Sequence, residues 1–161
     1  MRWDQLAEDD CPVARALSVI GDRWAALILR DALRGVTRFE GFHARLGCSR
    51  AMVAKRVGEL VDQGVFELRA YQAHPPRYDY VLTDRGRALG PIVMMMAQWS
   101  ETWLPRPGSS PLKRRHKDCG ELFQPVLVCS ECREPVEPGR VEYPDRPTAR
   151  SRAEVAPATT A

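Results

Sequence analysis

The chain has 161 residues and a mass of 18.2 kDa, the size of one domain or of one domain with an appendage. Its net charge of +3, from 24 basic and 21 acidic residues, is too small to indicate a polyanionic partner, so nucleic-acid binding must be judged from local charge. The longest apolar run, residues 91–97, is far shorter than the roughly 18 residues that cross a membrane, and the amino terminus lacks the apolar stretch of a signal peptide. We therefore expect a cytoplasmic protein with no membrane partner.

The first part of the chain predicts three helices. Pro12 suits the first turn of one helix, and Asp22 begins a second helix that Gly35 can end. Thr37 and Glu40 have the spacing of a capping box, in which each side chain binds a backbone N–H of the opening turn. They predict the start of a third helix.

A fourth helix follows after a very short joint. Ser49 is a favourable N-cap for a helix that runs to about Gln63. Its apolar residues recur on one face, whereas Ala51, Lys55 and Gly58 lie on the other face. Two helices with so short a joint must cross steeply.

A hairpin and a last helix complete this region. Alternating apolar residues predict strands over 65–71 and 78–82, joined by a proline-containing basic loop. Thr83 caps the last helix, in which Gly90-Pro91 predicts a kink or a late start. Apolar residues of that helix form a heptad-like seam: Leu89, Ile92, Met96, Trp99 and Trp103.

The composition changes after residue 104, where prolines, glycine and serines are typical of a linker. We expect a mostly α-helical protein with one small antiparallel β-hairpin and a small carboxyl-terminal zinc-ribbon-like module. The expected division is a winged helix-turn-helix and dimerisation domain at 1–104, a linker at 105–115, a Cys/His module at 116–143 and a disordered tail at 144–161.

The order of elements is that of a winged helix-turn-helix. Residues 38–56 carry five basic side chains and one acidic side chain, a larger local surplus than that of the whole chain. The fourth helix would enter the major groove of double-stranded DNA, and the hairpin would reach flanking phosphates. The alternative is an inert helical bundle with a solvated basic face. The candidate DNA-binding residues are Arg38, Ser49, Arg50, Met52, Lys55, Arg56, His74 and Arg77.

Several short motifs occur together in a characteristic order. They are Cys11-Pro12-Val13, Gly21-Asp22-Arg23-Trp24, Leu27-Ile28-Leu29-Arg30, Arg38-Phe39, Pro75-Pro76-Arg77, Tyr80, Leu82-Thr83, Gly86 and Trp99. From Cys11 to Leu104 the chain thereby resembles the HxlR-type family of bacterial transcription regulators, winged-helix proteins similar to the MarR type. The family usually has Gly-Ile-Ser before its recognition helix, where this chain has Gly47-Cys48-Ser49, so the operator sequence is not carried over.

The resemblance implies a nucleoid-associated homodimer, often a repressor, that binds an inverted-repeat operator. It implies that the first and last helices form the dimer interface. Without the resemblance, the seam of the last helix would be interpreted as part of an internal core. No residue pattern indicates an effector. The candidate interface residues are Leu17, Leu89, Ile92, Met96, Trp99 and Trp103.

Four residues near the carboxyl terminus have the spacing of zinc ligands: His116, Cys119, Cys129 and Cys132. They predict one structural zinc ion, which would stabilise a segment with few apolar residues. Arg133 stands where a knuckle usually has glycine. The alternatives are a site that no longer binds metal and a dithiol redox protein that uses Cys129 and Cys132.

One further cysteine is a candidate redox sensor. Cys11 lies where the HxlR-type family, which the chain resembles, has a recurrent cysteine, and in some members that cysteine senses oxidants or electrophiles. A helix start favours the reactive thiolate, whereas the preceding acids oppose it, and an inert buried thiol is the alternative. The sequence lacks the common catalytic motifs, so we do not expect an enzyme.

Overall fold

The computed structural model describes residues 3–108, 110 and 112–144, and the side chains from residue 5 onward. After a short 3-10 helix at Trp3–Glu8, the helices are α1 (Pro12–Ile20), α2 (Arg23–Leu33), α3 (Phe39–Leu46), α4 (Arg50–Asp62), α5 (Asp84–Arg87) and α6 (Gly90–Trp103). The strands are β1 (Phe66–Gln72), β2 (Arg77–Leu82), β3 (Arg114–Arg115) and β4 (Leu122–Phe123). The predicted fold class, mostly α-helical with one small antiparallel β-hairpin, is thereby confirmed. The disordered tail expected at 144–161 lies outside the described residues except for Pro144.

Two units make up the chain, Met1–Pro125 and Val126–Ala161. The segment expected to be a linker is attached to α6, because the backbone N–H of Leu112 donates to Glu101 at 2.7 Å and Arg114 lies 3.3 Å from the same carboxylate. The segment expected to form one Cys/His module is divided between the two units. No helix in the described part of the chain is both long and apolar enough to cross a membrane.

The core of the first unit joins the helices to the hairpin. Periodic apolar residues on α2, α3 and α4 meet the start of the hairpin, where Phe66 is buried. The rings of Phe42 on α3, Phe66 on β1 and Tyr80 on β2 form a triangle with centroid distances of 6.0 to 6.5 Å. Phe42 and Phe66 are fully buried, and so are the apolar side chains of Ile28, Leu29, Val53, Val57, Leu60 and Val65.

Two of the three helix caps predicted from the sequence are present in the structure, and the third is not. The Ser49 and Thr83 hydroxyls accept hydrogen bonds from backbone N–H groups of α4 and α5, as predicted. The capping box at Thr37 is wrong: Arg38 is the N-cap of α3, and its side chain makes no capping bond. The Thr37 hydroxyl instead donates to Asp79 at 2.9 Å. A tertiary partner 42 residues away has replaced the local one.

The predicted hairpin is confirmed, with strand bounds shifted by one residue. β1 and β2 pair antiparallel, with an irregularity between Ala70 and Gln72. The α2–α3 connection lies against β2, because the backbone N–H of Tyr80 donates to the Thr37 carbonyl at 2.7 Å. This bond fixes the hairpin to the helix-turn-helix.

The last helix begins late, as the Gly90-Pro91 pair predicts. The short helix α5 precedes it and packs closely against the start of β1. A Cβ atom at Gly86 would lie 2.3 Å from the Val65 carbonyl oxygen, so this approach requires glycine. The path from the hairpin to α6 is thus set by one residue without a side chain.

Candidate nucleic-acid interface

Helix α4 has one buried face and one exposed face that consists mainly of small side chains. Val53, Val57 and Leu60 are buried in the core. Small side chains and one lysine share the opposite face, which follows the predicted pattern: Ala51, Ala54, Lys55 and Gly58. With 13 residues the helix is roughly 20 Å long. Its exposed face is narrow enough for close approach to a major groove.

Arg50, the first residue of α4, is held by its neighbours on α3. Its two terminal nitrogens donate to the two carboxylate oxygens of Glu40 at 2.7 and 2.6 Å. Its guanidinium carbon lies 4.9 Å from the centroid of the Phe39 ring. The hydrogen bond from Arg50 is the main reason that the pKa of Glu40 is lowered, with smaller contributions from the charges of Arg50, His43 and Arg77.

Arg38, the N-cap of α3, lies at the junction between the helices and the wing, which is the β1–β2 hairpin. Its guanidinium lies 4.5 Å from the centroid of the Tyr71 ring, and its Nε atom lies 3.6 Å from Asp79. Because the side chain remains exposed, its outer N–H groups are available to a phosphate. The contacts with Tyr71 and Asp79 restrict where the guanidinium can point.

The wing tip presents His74 and Arg77, both exposed. The amide of Gln72 donates to the carbonyls of His74 and Pro75 at 3.1 and 3.2 Å, which orders the loop from within. Arg77 makes no ion pair among the described residues, although its charge contributes to the lowered pKa of Glu40. The exposed guanidinium of Arg77 thus lies within electrostatic range of Glu40 in the first turn of α3.

Arg56 lies apart from the exposed face of α4. Its side chain is only 23% exposed, and it lies 3.0 Å from Asp22 and 2.6 Å from Glu59. Asp22 is also the N-cap of α2, where it accepts from the backbone N–H groups of Trp24 and Ala25. The structure thus gives Arg56 a bridging position between α2 and α4, in place of the free position on the DNA-facing surface that the sequence suggested.

The remaining candidates divide by exposure. Lys55 is exposed and makes no ion pair in the part of the chain that the structure describes, and Arg45 on α3 shares both properties. Ser49 is exposed and uses its hydroxyl as the cap of α4, with the backbone N–H of Met52 at 3.3 Å. Met52 itself is half-buried. Within α3, α4 and the wing, Lys55, Arg45 and Arg77 are therefore exposed cations without an ion pair among the described residues.

The apolar seam of α6 is exposed for most of its length. The exposed fractions are 41% for Ile92, 52% for Met96, 57% for Trp99 and 69% for Trp103, and Leu17 on α1 is 41% exposed. Leu89 differs, because it is half-buried and packs against the core of its own chain. Large exposed apolar side chains grouped in this way are unusual for a monomer.

The predicted zinc ligands lie in two turns, at residues 116–121 and 129–134, and the two turns have the same pattern of backbone hydrogen bonds. In the first turn the N–H of His116 donates to Glu121 and that of Gly120 donates back to His116, both at 2.9 Å. In the second turn Cys129 donates to Glu134 at 2.9 Å and Arg133 donates back to Cys129 at 3.0 Å.

The residue that follows the last cysteine of each turn, Cys119 or Cys132, has a positive φ. The value is 78° for Gly120 and 63° for Arg133, so the missing glycine does not prevent the second turn. In the first turn His116 Nδ1 lies 3.4 Å from Cys119 Sγ. Among the described residues, no three His, Cys, Asp or Glu side chains come together as a metal site.

The cysteines differ in their surroundings. Backbone N–H groups, chiefly that of Cys132, lower the pKa of the Cys129 thiol. Cys11 is partly exposed and is the N-cap residue of α1, and its backbone N–H donates to Asp9 at 2.7 Å. Cys48 is half-buried against the core.

Three site residues were missed from the sequence: Glu40 as the partner of Arg50, and Tyr71 and Asp79 as the partners of Arg38. Tyr71 and Asp79 belong to the predicted strands, so their proximity to Arg38 depends on how the hairpin packs. For Glu40 a signal existed, because an acidic residue amid basic ones in a predicted DNA-binding segment requires an explanation.

The chain is similar to proteins of one family. Residues 19–107 match the sequence model described as HxlR-like helix-turn-helix. An uncharacterized HTH-type transcriptional regulator of Mycobacterium tuberculosis is 41% identical over 124 residues, which are 77% of this chain and 78% of that protein. YdeP of Bacillus subtilis, another such regulator, is 30% identical over 111 residues, which are 68% of this chain and 87% of that protein.

Solved structures show the same relationship. PA1607, described as a candidate transcription factor, is 33% identical with a TM-score of 0.75, over 85% of this chain and 96% of that chain. The redox regulator HypR in its oxidized form is 33% identical with a TM-score of 0.53, over 57% of this chain and 96% of that chain. The share covered by PA1607 exceeds what residues 1–104 alone provide, so that likeness includes part of the chain after α6.

The position of Arg56 gives a stability prediction. We expect Arg56→Ala to lower the free energy of unfolding by about 1–3 kcal/mol, because it removes charged hydrogen bonds from a mostly buried site. Lys55→Ala, on the neighbouring exposed position, should change it by less than about 0.5 kcal/mol. Urea denaturation followed by circular dichroism measures both values. Equal stability of the two variants would contradict the bridging role.

Proposed function

Because the chain belongs to the HxlR-like helix-turn-helix family of transcriptional regulators, we propose that it binds a specific inverted-repeat operator as a homodimer and represses transcription there. Helix α4 enters the major groove, and the wing contacts the flanking backbone. The protein acts in the cytoplasm, at the nucleoid. The observation that carries this proposal is the exposed face of α4, where a single lysine stands among small residues.

Local charge supports the same proposal. Lys55 and Arg45 are exposed cations without ion pairs among the described residues, and Arg77 extends the positive surface to the wing. The amino-terminal turn of α4, which Ser49 caps, is exposed, and the amino-terminal turn of a helix favours a bound phosphate. We assign further contacts to Arg38 and His74, which are exposed, and to Met52, which is half-buried. A repressor needs no further activity than tight binding at a promoter.

Removing single charges tests DNA binding. We expect Lys55→Gln and Arg77→Gln each to weaken binding to the selected operator several-fold at physiological salt, since each releases fewer counterions from the phosphates. The slope of log affinity against log salt should fall by about one per subunit. Fluorescence anisotropy with a duplex obtained by in vitro selection measures both quantities.

Arg85→Gln on α5 is the matched control, because it removes the same charge from an exposed residue outside the helix-turn-helix and the wing. It should leave affinity and salt slope close to those of the parent chain. If all three variants behave alike, the surface formed by α4 and the wing is not the DNA-binding surface.

The exposed seam of α6 supports the homodimer. Leu17, Ile92, Met96, Trp99 and Trp103 would otherwise leave a large apolar surface in water. A two-fold axis places the same patch on both subunits, and it matches two half-sites of an inverted repeat. Leu89 takes part only indirectly, as the residue that anchors the start of α6 to the core.

A charge in the seam tests the dimer. We expect light scattering to give the mass of a dimer for the parent chain at about 10 μM and that of a monomer for Trp99→Asp, because the substitution buries an unpaired carboxylate in the interface. Val126→Asp, at an apolar position of the second unit that is 71% exposed, should remain dimeric. A monomeric parent chain would remove the homodimer from the proposal.

We also propose that zinc binds through His116, Cys119, Cys129 and Cys132. The support is the ligand chemistry and the equivalent backbone turns that carry the two ligand pairs. Zinc would supply structural stabilisation only, since four protein ligands leave no open position for catalysis. The competing function is a dithiol redox protein, and the lowered pKa of Cys129 is the observation that favours it.

Oxidant sensing through Cys11 is the remaining part of the proposal. Cys11 is partly exposed at the start of α1, the helix that carries Leu17, a residue of the proposed dimer interface. HypR, to which the chain is 33% identical, is named as a redox regulator. Oxidation of this thiol by a peroxide would give a sulfenic acid, a more polar group on the helix that carries Leu17, and would thereby change how the two proposed subunits pack.

One labelling experiment tests both cysteine proposals. Protein prepared without chelator is treated with mild peroxide and then with maleimide, and each cysteine is scored by mass spectrometry. We expect Cys11 to lose its label after peroxide, and we expect Cys119, Cys129 and Cys132 to accept label only after a chelator is added. A Cys129–Cys132 disulfide with no bound zinc supports the dithiol function instead, and an unreactive Cys11 excludes the sensor.

A further inference from the structure

We propose that Glu40 is a positioning residue that presents Arg50 to one guanine in each operator half-site. This inference rests on the proposed function, and it assigns a base to a particular side chain. Arg50 is the first residue of α4, and amino-terminal residues of a recognition helix contact base edges. The sequence alone places Arg50 among the candidate DNA contacts and gives Glu40 no role there.

The guanidinium of Arg50 is restrained on two sides. Glu40 accepts from both terminal nitrogens, at 2.7 and 2.6 Å, which sets the plane of the group. The guanidinium carbon lies 4.9 Å from the centroid of the Phe39 ring, so the face of this ring restrains the group as well. An arginine side chain in water has many rotamers, so this arrangement removes disorder before any DNA arrives.

The charges argue against a simple phosphate contact. Paired with Glu40, Arg50 contributes no net positive charge, and the carboxylate itself repels phosphates. A residue that served only to attract the backbone would be more effective without this partner. Glu40 and Arg50 are both mostly exposed, with side-chain exposures of 68% and 60%, so the pair contributes little to folding. What the pair supplies is therefore a fixed orientation of the Arg50 guanidinium.

The unused hydrogens of Arg50 fit a purine edge. A guanidinium has five N–H groups, and Glu40 accepts from two of them. The remaining groups include Nε–H and a second N–H on the adjacent terminal nitrogen, which together form a two-pronged donor edge. Guanine presents the matching pair of acceptors, O6 and N7, in the major groove. The Ala51 and Ala54 side chains beside Arg50 leave room for that edge to approach.

Base preference is the property that distinguishes positioning from attraction. In vitro selection with the parent chain should return a half-site with one guanine that Arg50→Lys no longer requires, since lysine keeps the charge and loses the planar fork. The preference for that guanine should fall about fivefold or more in Arg50→Lys. Glu40→Gln should reduce the same preference about threefold or more, while binding to unrelated duplexes becomes tighter because an anion is removed.

Two controls complete the experiment. Asp62→Asn removes an equal charge from the other end of α4 and should leave every base preference unchanged. Replacing the selected guanine by 7-deazaguanine removes the N7 acceptor without changing the protein, so it should weaken the parent chain about fivefold or more and leave Arg50→Lys nearly unaffected.

The outcomes separate the two claims. If the parent chain selects no sequence, the proposed function fails and this inference fails with it. If it selects a site and Glu40→Gln tightens binding to all duplexes with base preferences intact, Glu40 is a competitor of DNA and only the positioning role is overturned. If Arg50→Lys also keeps the guanine preference, the assignment of that base to Arg50 is overturned.

Discussion

The aromatic contact between Phe42, Phe66 and Tyr80 is the constraint on which the candidate interface depends. It brings together one helix and both strands of the wing, with centroid distances of 6.0 to 6.5 Å. Burying a large aromatic side chain contributes about 1.5–3 kcal/mol, and Phe42 and Phe66 are almost fully buried. Partial burial of Tyr80 raises the pKa of its phenol. The wing therefore has a fixed position relative to α3, and through α3 relative to α4.

Polar contacts at the rim of this cluster decide how much positive charge the surface offers. Residues 38–56 have five basic side chains in the sequence, but Arg56 is bound within the protein and Arg50 is paired with Glu40. The free cations are fewer and lie at Arg45, Lys55 and, on the wing, Arg77. A count of charges from the sequence thus overstates the attraction for phosphates. The paired arginine is better suited to orientation than to attraction.

Local sequence patterns predicted most of the helices and strands. Where a side chain contacts something other than its predicted partner, the actual partner is distant in the sequence. Ser49 and Thr83 cap their helices as expected because each acts on the turn that follows it. Thr37 has an equally good local signal, yet its hydroxyl binds Asp79, which only the folded hairpin brings near. Arg56 is similar, because its partner Asp22 lies 34 positions earlier in the numbering. A single sequence contains no information on which of two possible partners is closer in the fold.

Helix α2 connects the proposed dimer surface to the proposed DNA surface. It packs against α4 on one side and α6 on the other, and its central residues Ile28 and Leu29 are fully buried. It also contains Asp31, the buried charged residue of the described core, which binds Arg30 through two hydrogen bonds. Because a close-packed interior transmits strain, a change in how two copies of the proposed dimer meet along α6 would reach α4 through the buried side chains of α2.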